Sequence, residues 1–166
     1  MIGVMNLAGN EKNKTVAAVW SIAEPIAEEL GLFIWDIRFL KEGATWYLRI
    51  FIDKEGGVGI TDCENMSRAI DKPLDEADPI EQSYCLEVSS PGIERELTRN
   101  FHFECAMDCP IKLRLIRPDE KGRREFAGAL KDFDNGILTV ETKDGETFNF
   151  NKKDTSWVKL DDFGGF

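Results

Sequence analysis

The sequence predicts an α+β protein: an N-terminal domain ordered α-β-β-α-β, followed by a small all-β barrel. Three observations predict it. Apolar residues recur at helical spacing in the first part of the chain, and that period disappears after about residue 108. Turn signals then separate five short runs of strand character. Charge shifts along with the pattern: residues 1–98 carry 9 basic and 18 acidic side chains, whereas residues 99–166 carry 12 and 13. The expected boundaries are 11–98 for the α/β domain, 99–107 for a connector and 108–166 for the barrel.

The first helix is expected over about 12–30, where Val16, Val19, Trp20, Ala23, Ala27 and Leu30 share one face. Gly31 stands where a C-terminal cap belongs. Pro25, which has no N–H for the backbone ladder, should kink this helix. Leu32–Leu40 and Thr45–Asp53 flank Lys41-Glu42-Gly43-Ala44 and read as a hairpin. In its second strand Trp46, Leu48, Ile50 and Ile52 alternate with Tyr47, Arg49 and Phe51, so one face should pack on the helices. Thr61-Asp62-Cys63-Glu64 fits a capping box that opens a second helix, which should end before Pro73. Tyr84–Val88 supplies a third strand, completing a small, mostly antiparallel sheet with helices on one face.

Asn100–Ala106 is expected to form a short helical connector. Beyond it, strands are expected at 111–116, 124–131, 137–142, 146–150 and 155–160. They are separated by Pro118-Asp119, Asp134-Asn135-Gly136 and Asp144-Gly145. Five strands in so short a span suggest a closed barrel of SH3 or Sm type.

Composition narrows the function classes. With 166 residues, 42% of them hydrophobic, the chain is long enough to fold without staples. A net charge of -10 argues against indiscriminate coating of nucleic acid, which depends on neutralising phosphates with cations. It favours a basic partner, or basic residues confined to a patch. Residues 111–131 are such a patch: Lys112, Arg114, Arg117, Lys121, Arg123, Arg124 and Lys131 outnumber Asp119, Glu120 and Glu125. No apolar run approaches membrane-spanning length, and the N-terminus does not read as a signal peptide. Cys63, Cys85, Cys105 and Cys109 therefore read as free thiols of a cytoplasmic protein.

The residue types needed for catalysis do not come together. A His-based triad would have to use His102, which sits between Phe101 and Phe103 and reads as a packed connector residue. His102, Cys105 and Cys109, with Cys85, fit zinc spacing only loosely. Asp53, Glu55, Gly57, Gly59 and Glu64 imitate a calcium loop, but Val58 stands where its central glycine is required. Gly56-Gly57-Val58-Gly59 lacks the Lys-Ser/Thr of a phosphate loop. No catalytic, cofactor-binding or metal-binding residue is assigned, and no small-molecule substrate is expected.

The most informative stretch is Tyr84-Cys85-Leu86-Glu87-Val88-Ser89-Ser90-Pro91-Gly92-Ile93-Glu94-Arg95-Glu96-Leu97. It reads as a strand ending in two hydroxyl residues, then a turn in which Pro91 fixes φ and Gly92 permits a positive one. This stretch resembles the signature of the ribosome maturation factor family RimP. The likeness extends to Ile50-Phe51-Ile52-Asp53, Asp62-Cys63-Glu64-Asn65-Met66-Ser67-Arg68, Leu74-Asp75, Asp78-Pro79-Ile80 and Phe126-Ala127-Gly128-Ala129-Leu130, covering about 12–160. Two departures stand out: Glu96 replaces the signature's proline, and Met107-Asp108-Cys109 lacks a glycine common before the first barrel strand.

The resemblance implies an α/β domain followed by an Sm-like or SH3-like barrel. It also implies binding to the immature small (30S) ribosomal subunit through ribosomal protein and adjacent rRNA, without enzymatic activity or cofactor. The expected contact residues are Ser89, Ser90, Pro91, Gly92 and Arg95 in the signature turn, with Arg114, Arg117, Arg123 and Arg124 facing phosphates. The turn reads equally as a hinge, and the arginines equally as a solvated face. The alternative function is a stand-alone RNA-binding module using the barrel.

Overall fold

The computed structural model describes residues 7–161, with side chains described from Asn13 onward. The chain forms two compact units, Met1–Pro91 and Gly92–Phe166.

The first unit runs α1 (Leu7–Glu29), β1 (Phe33–Glu42), β2 (Thr45–Asp53), α2 (Ile60–Ala77) and β3 (Tyr84–Ser89). Val19, Ala23 and Ala27 are fully buried on the face of α1 that the apolar spacing marks out. The helix continues through Pro25 and stops in a Schellman motif. Leu32 N–H donates to the Ala27 carbonyl at 2.8 Å and Gly31 N–H to that of Glu28 at 3.0 Å. Gly31 takes φ +74°, which a side chain would strain. Leu30 is thus the C-cap rather than a core residue, and it is 38% exposed.

β1 and β2 pair antiparallel around Gly43-Ala44, and β3 joins β2 in parallel, giving the order β1-β2-β3. Half of the sheet's pairing is therefore parallel, because α2 carries the chain back across the sheet before β3 begins. Leu48, Ile50 and Ile52 are fully buried, as their alternation requires, and join Met66, Ile70 and Leu74 of α2 in one core.

Two expectations for α2 are corrected. Thr61 is not its N-cap and Glu64 does not close a capping box. The helix begins at Ile60, Gly59 is the cap, and the Asp62 carboxylate accepts the Gly59 N–H at 3.0 Å. Nor does Pro73 end the helix, which continues to Ala77. Leu74 is one turn beyond Ile70 on the buried face, and packing it outweighs the missing N–H of Pro73. The end comes at Asp78, at φ +46°, whose N–H returns to the Leu74 carbonyl.

The second unit holds α3 (Asn100–Cys105) and five strands: β4 (Pro110–Leu115), β5 (Glu125–Asp134), β6 (Ile137–Glu141), β7 (Thr147–Asn151) and β8 (Thr155–Leu160). They form one sheet in the order β7-β6-β5-β4-β8. The sheet is antiparallel throughout, with register breaks at Arg114/Leu115 and Leu130/Asp132. Such breaks strengthen twist and coil a sheet. Among the described residues no ladder joins β7 to β8, so the expected closed barrel is here a five-stranded sheet. Asn135 and Gly136 both take positive φ, as the type I′ turn read from Asp-Asn-Gly demands. Gly128 is required for another reason: a Cβ there would stand 2.4 Å from the Glu141 carbonyl oxygen of β6. Ile111, Leu113, Leu130, Leu138 and Val140 make the core, and Phe103 of α3 stacks on Phe133 at 4.1 Å.

Candidate functional site

In the first unit the start of α2 and the end of β3 enclose an open groove of about 590 Å³. Ser89 and Ser90 line it, so two of the nine expected contact residues share a surface. The groove's apolar residues, Val58, Ile60, Cys63 and Val88, were not marked by the sequence pattern. Helical spacing does hold a signal for them. Ile60, Cys63 and Ser67 fall on one flank of α2, beside the buried stripe of Met66, Ile70 and Leu74. Ile60 is 79% exposed, unusual for an isoleucine beside a concavity.

Electrostatics fix the upper end of this groove. The Gly59 N–H, then Lys54 at 3.1 Å, hold the Asp62 carboxyl below the usual carboxylate range. Burial, then the Asp62 charge, push the Cys63 thiol up, so it stays protonated and a poor nucleophile at neutral pH. At the other end of β3, burial and then Asp75, Asp71 and Asp78 push the Tyr84 phenol up.

The signature turn straddles the boundary between units. Pro91 is the last residue of the first and Gly92, at φ +88°, the first of the second. The turn itself falls on Ile93-Glu94, later than the expected Pro-Gly position. Arg95 holds it, with Nε donating to the Gly92 carbonyl at 3.1 Å.

The four expected phosphate-facing arginines have different surroundings. Arg114 pairs with Glu125 across β4 and β5 at 3.2 Å. Arg123 is held at 2.8 Å by Asp119 and lies over the rings of Phe126 and Phe148, 5.1 and 5.5 Å from their centroids. Burial alone would raise the Asp119 carboxyl. Hydrogen bonds from the Arg123 backbone and guanidinium outweigh it and lower the group instead. Arg117 and Arg124 are exposed, and no carboxylate among the described residues pairs with them. Arg117 lines a second groove, of about 570 Å³, with Ile116, Asp119, Asn149 and Phe150.

His102 is fully buried, and its Nδ1 accepts the backbone N–H groups of Thr98 and Arg99 at 2.9 and 3.0 Å. It acts as a cap for α3, which accounts for a lone histidine among aromatics without chemistry. All four cysteines are free, and among the described residues no group of His, Cys, Asp or Glu could hold a metal. No helix of the described residues is long and apolar enough to cross a membrane.

Residues 22–94 match the RimP N-terminal domain family. The chain carries a RimP N-terminal domain, which supports membership of the RimP family of ribosome maturation factors. The match runs from the middle of α1 through β3 and the start of the signature turn, and so contains the groove beside α2. At the family's proline position, Glu96 instead makes an antiparallel bridge to Lys159, flanked by Leu97 N–H to the Val158 carbonyl at 2.7 Å and Leu160 N–H to that of Arg95 at 3.0 Å. These bonds tie the end of the RimP signature to β8.

Proposed function

We propose that this chain binds the immature small ribosomal subunit and assists its assembly by binding alone, as a cytoplasmic factor without enzymatic activity or cofactor. The RimP N-terminal domain match carries this reading. Charge supports it. Residues 1–91 hold 8 basic and 16 acidic side chains, a surface suited to a basic ribosomal protein. Residues 92–166 hold 13 and 15, with Arg117 and Arg124 available to rRNA phosphates. The strand order, with β8 returning beside β4, and the two register breaks support an Sm-like reading of the second unit. Ser89, Ser90, Pro91, Gly92 and Arg95 are proposed as contact residues, with Arg114 and Arg123 shaping the surface around Arg117 and Arg124. Release would follow when maturation reshapes the site, since unequal affinity for two states moves an equilibrium.

Sedimentation of the purified protein with immature and mature small subunits at two salt concentrations tests this. Co-sedimentation with the immature particle, weakened by salt, is expected. Equal retention on both particles refutes the reading. Tight binding to free rRNA fragments without preference for the particle favours the stand-alone RNA-binding alternative.

A further inference from the structure

We infer that the outer edge of β3 takes an extended, basic segment of a partner protein as an added strand, seated in the groove beside α2. This deepens the subunit-binding reading and rests on it for where the segment comes from.

The two edges of the first sheet are built differently. β1 is blunted by a register break between Ile34 and Asp36 and by the charge of Lys41, while Arg38 and Glu42 are held by Asp36 and Arg49. Those are devices that keep an edge from pairing with foreign strands. β3 has neither a break nor a proline, and its single charge, Glu87, is held by Arg49 at 3.2 Å. No strand among the described residues pairs with its outer side. An unprotected edge with an apolar concavity alongside is the arrangement that strand addition requires: backbone hydrogen bonds give affinity, and alternate side chains read the pockets.

The flank of α2 says what charge the occupant carries. Glu64 lines the groove near Ser89 and Ser90. Asp71 and Asp75 follow on the same flank, about two and three turns later, and both act on Tyr84 at the start of β3. Acids thus border β3 along its length, in a unit with twice as many acidic as basic side chains. An extended segment alternating cationic and apolar residues satisfies both features. Its apolar residues face Val58, Ile60 and Val88, and its cations, on the alternate face, sit in the field of the acidic rim.

The test titrates the full-length protein with an acetylated Lys-Val-Lys-Val-Lys-Val-Lys amide and with its Glu-Val counterpart, reading affinity and amide hydrogen exchange. Saturable binding of the Lys-Val peptide is expected, at least about tenfold tighter than the acidic one. It should slow exchange over residues 84–90, and Glu64→Lys with Asp71→Lys should weaken it. Unchanged exchange over 84–90, equal binding of both peptides, or protection confined to β7 overturns the proposal. Protection that grows with protein concentration and no peptide places a second copy on the edge, and also overturns it. The exchange experiment needs no variant, so a misfolded double mutant does not obscure it. Peptide binding without co-sedimentation refutes the subunit reading and leaves the strand site intact; the reverse outcome does the opposite.

Discussion

The two units use charge in opposite ways. In the first, the acidic excess is spread over a surface, and the groove between α2 and β3 is bordered by acids. In the second, positive and negative side chains nearly balance, and most of the expected contact arginines are occupied. Arg114 and Arg123 each have a carboxylate, and Arg95 a carbonyl. A cluster of basic residues in sequence is therefore not a cluster of available cations. Pairing reduces the second unit's exposed, unpartnered contact arginines to Arg117 and Arg124, whereas the first unit's excess of acid over base cannot be paired away.

The largest effects should come from breaking each core separately. Ile50→Ala leaves a void under the first sheet and should cost about 3 kcal/mol. Gly128→Ala drives a methyl group into the β6 backbone and should cost about 2 kcal/mol. If the units melt independently, calorimetry will show each substitution lowering a different transition. A single transition moved by both would show that they unfold together.

Next in size is the contrast among arginines. Arg117→Glu with Arg124→Glu should weaken subunit binding while the thermal midpoint stays nearly unchanged. Arg123→Glu should instead lower stability by about 1 kcal/mol, through loss of its ring contacts and its loop carboxylate. Unaltered co-sedimentation of the double variant would make the unpaired arginines bystanders.

A smaller effect concerns acid. The Asp62 carboxyl is lowered in the folded state, so its contribution is present above the ordinary aspartate value of 3.8 and is lost as pH falls below it. Asp62→Asn should remove that part of the first unit's acid sensitivity, seen as a flatter dependence of the midpoint on pH. Least of all, Asp78→Gly should raise stability by a few tenths of a kcal/mol, since glycine tolerates the left-handed cap better.

Most of the secondary structure was legible because local chemistry and tertiary demand agree. The alternation from Trp46 to Ile52 gave the buried face, Gly31 the helix stop, and Asp134-Asn135-Gly136 the hairpin. Where they disagree, the long-range contact wins. Pro73 is a local stop signal, but burial of Leu74 carries α2 past it. The cap moved to Gly59 because Asp62 reaches back to its N–H, a bond that the Thr61–Glu64 spacing imitates two residues later. The groove was only partly legible, because Ser89 and Ser90 meet Ile60 and Cys63 through a parallel crossover that no local pattern encodes. The arginines' partners were hidden for a similar reason. Asp119 reaches Arg123 through a loop whose shape depends on Gly122 at φ +81°.

An unguarded strand border also bears on how the protein behaves in a tube. At neutral pH its charge of -10 makes copies repel one another. Near the isoelectric point, about 4.7, that repulsion vanishes while the border stays bare. Solutions concentrated or stored there should be the first to form thioflavin-positive aggregates, and purification is best kept well above it.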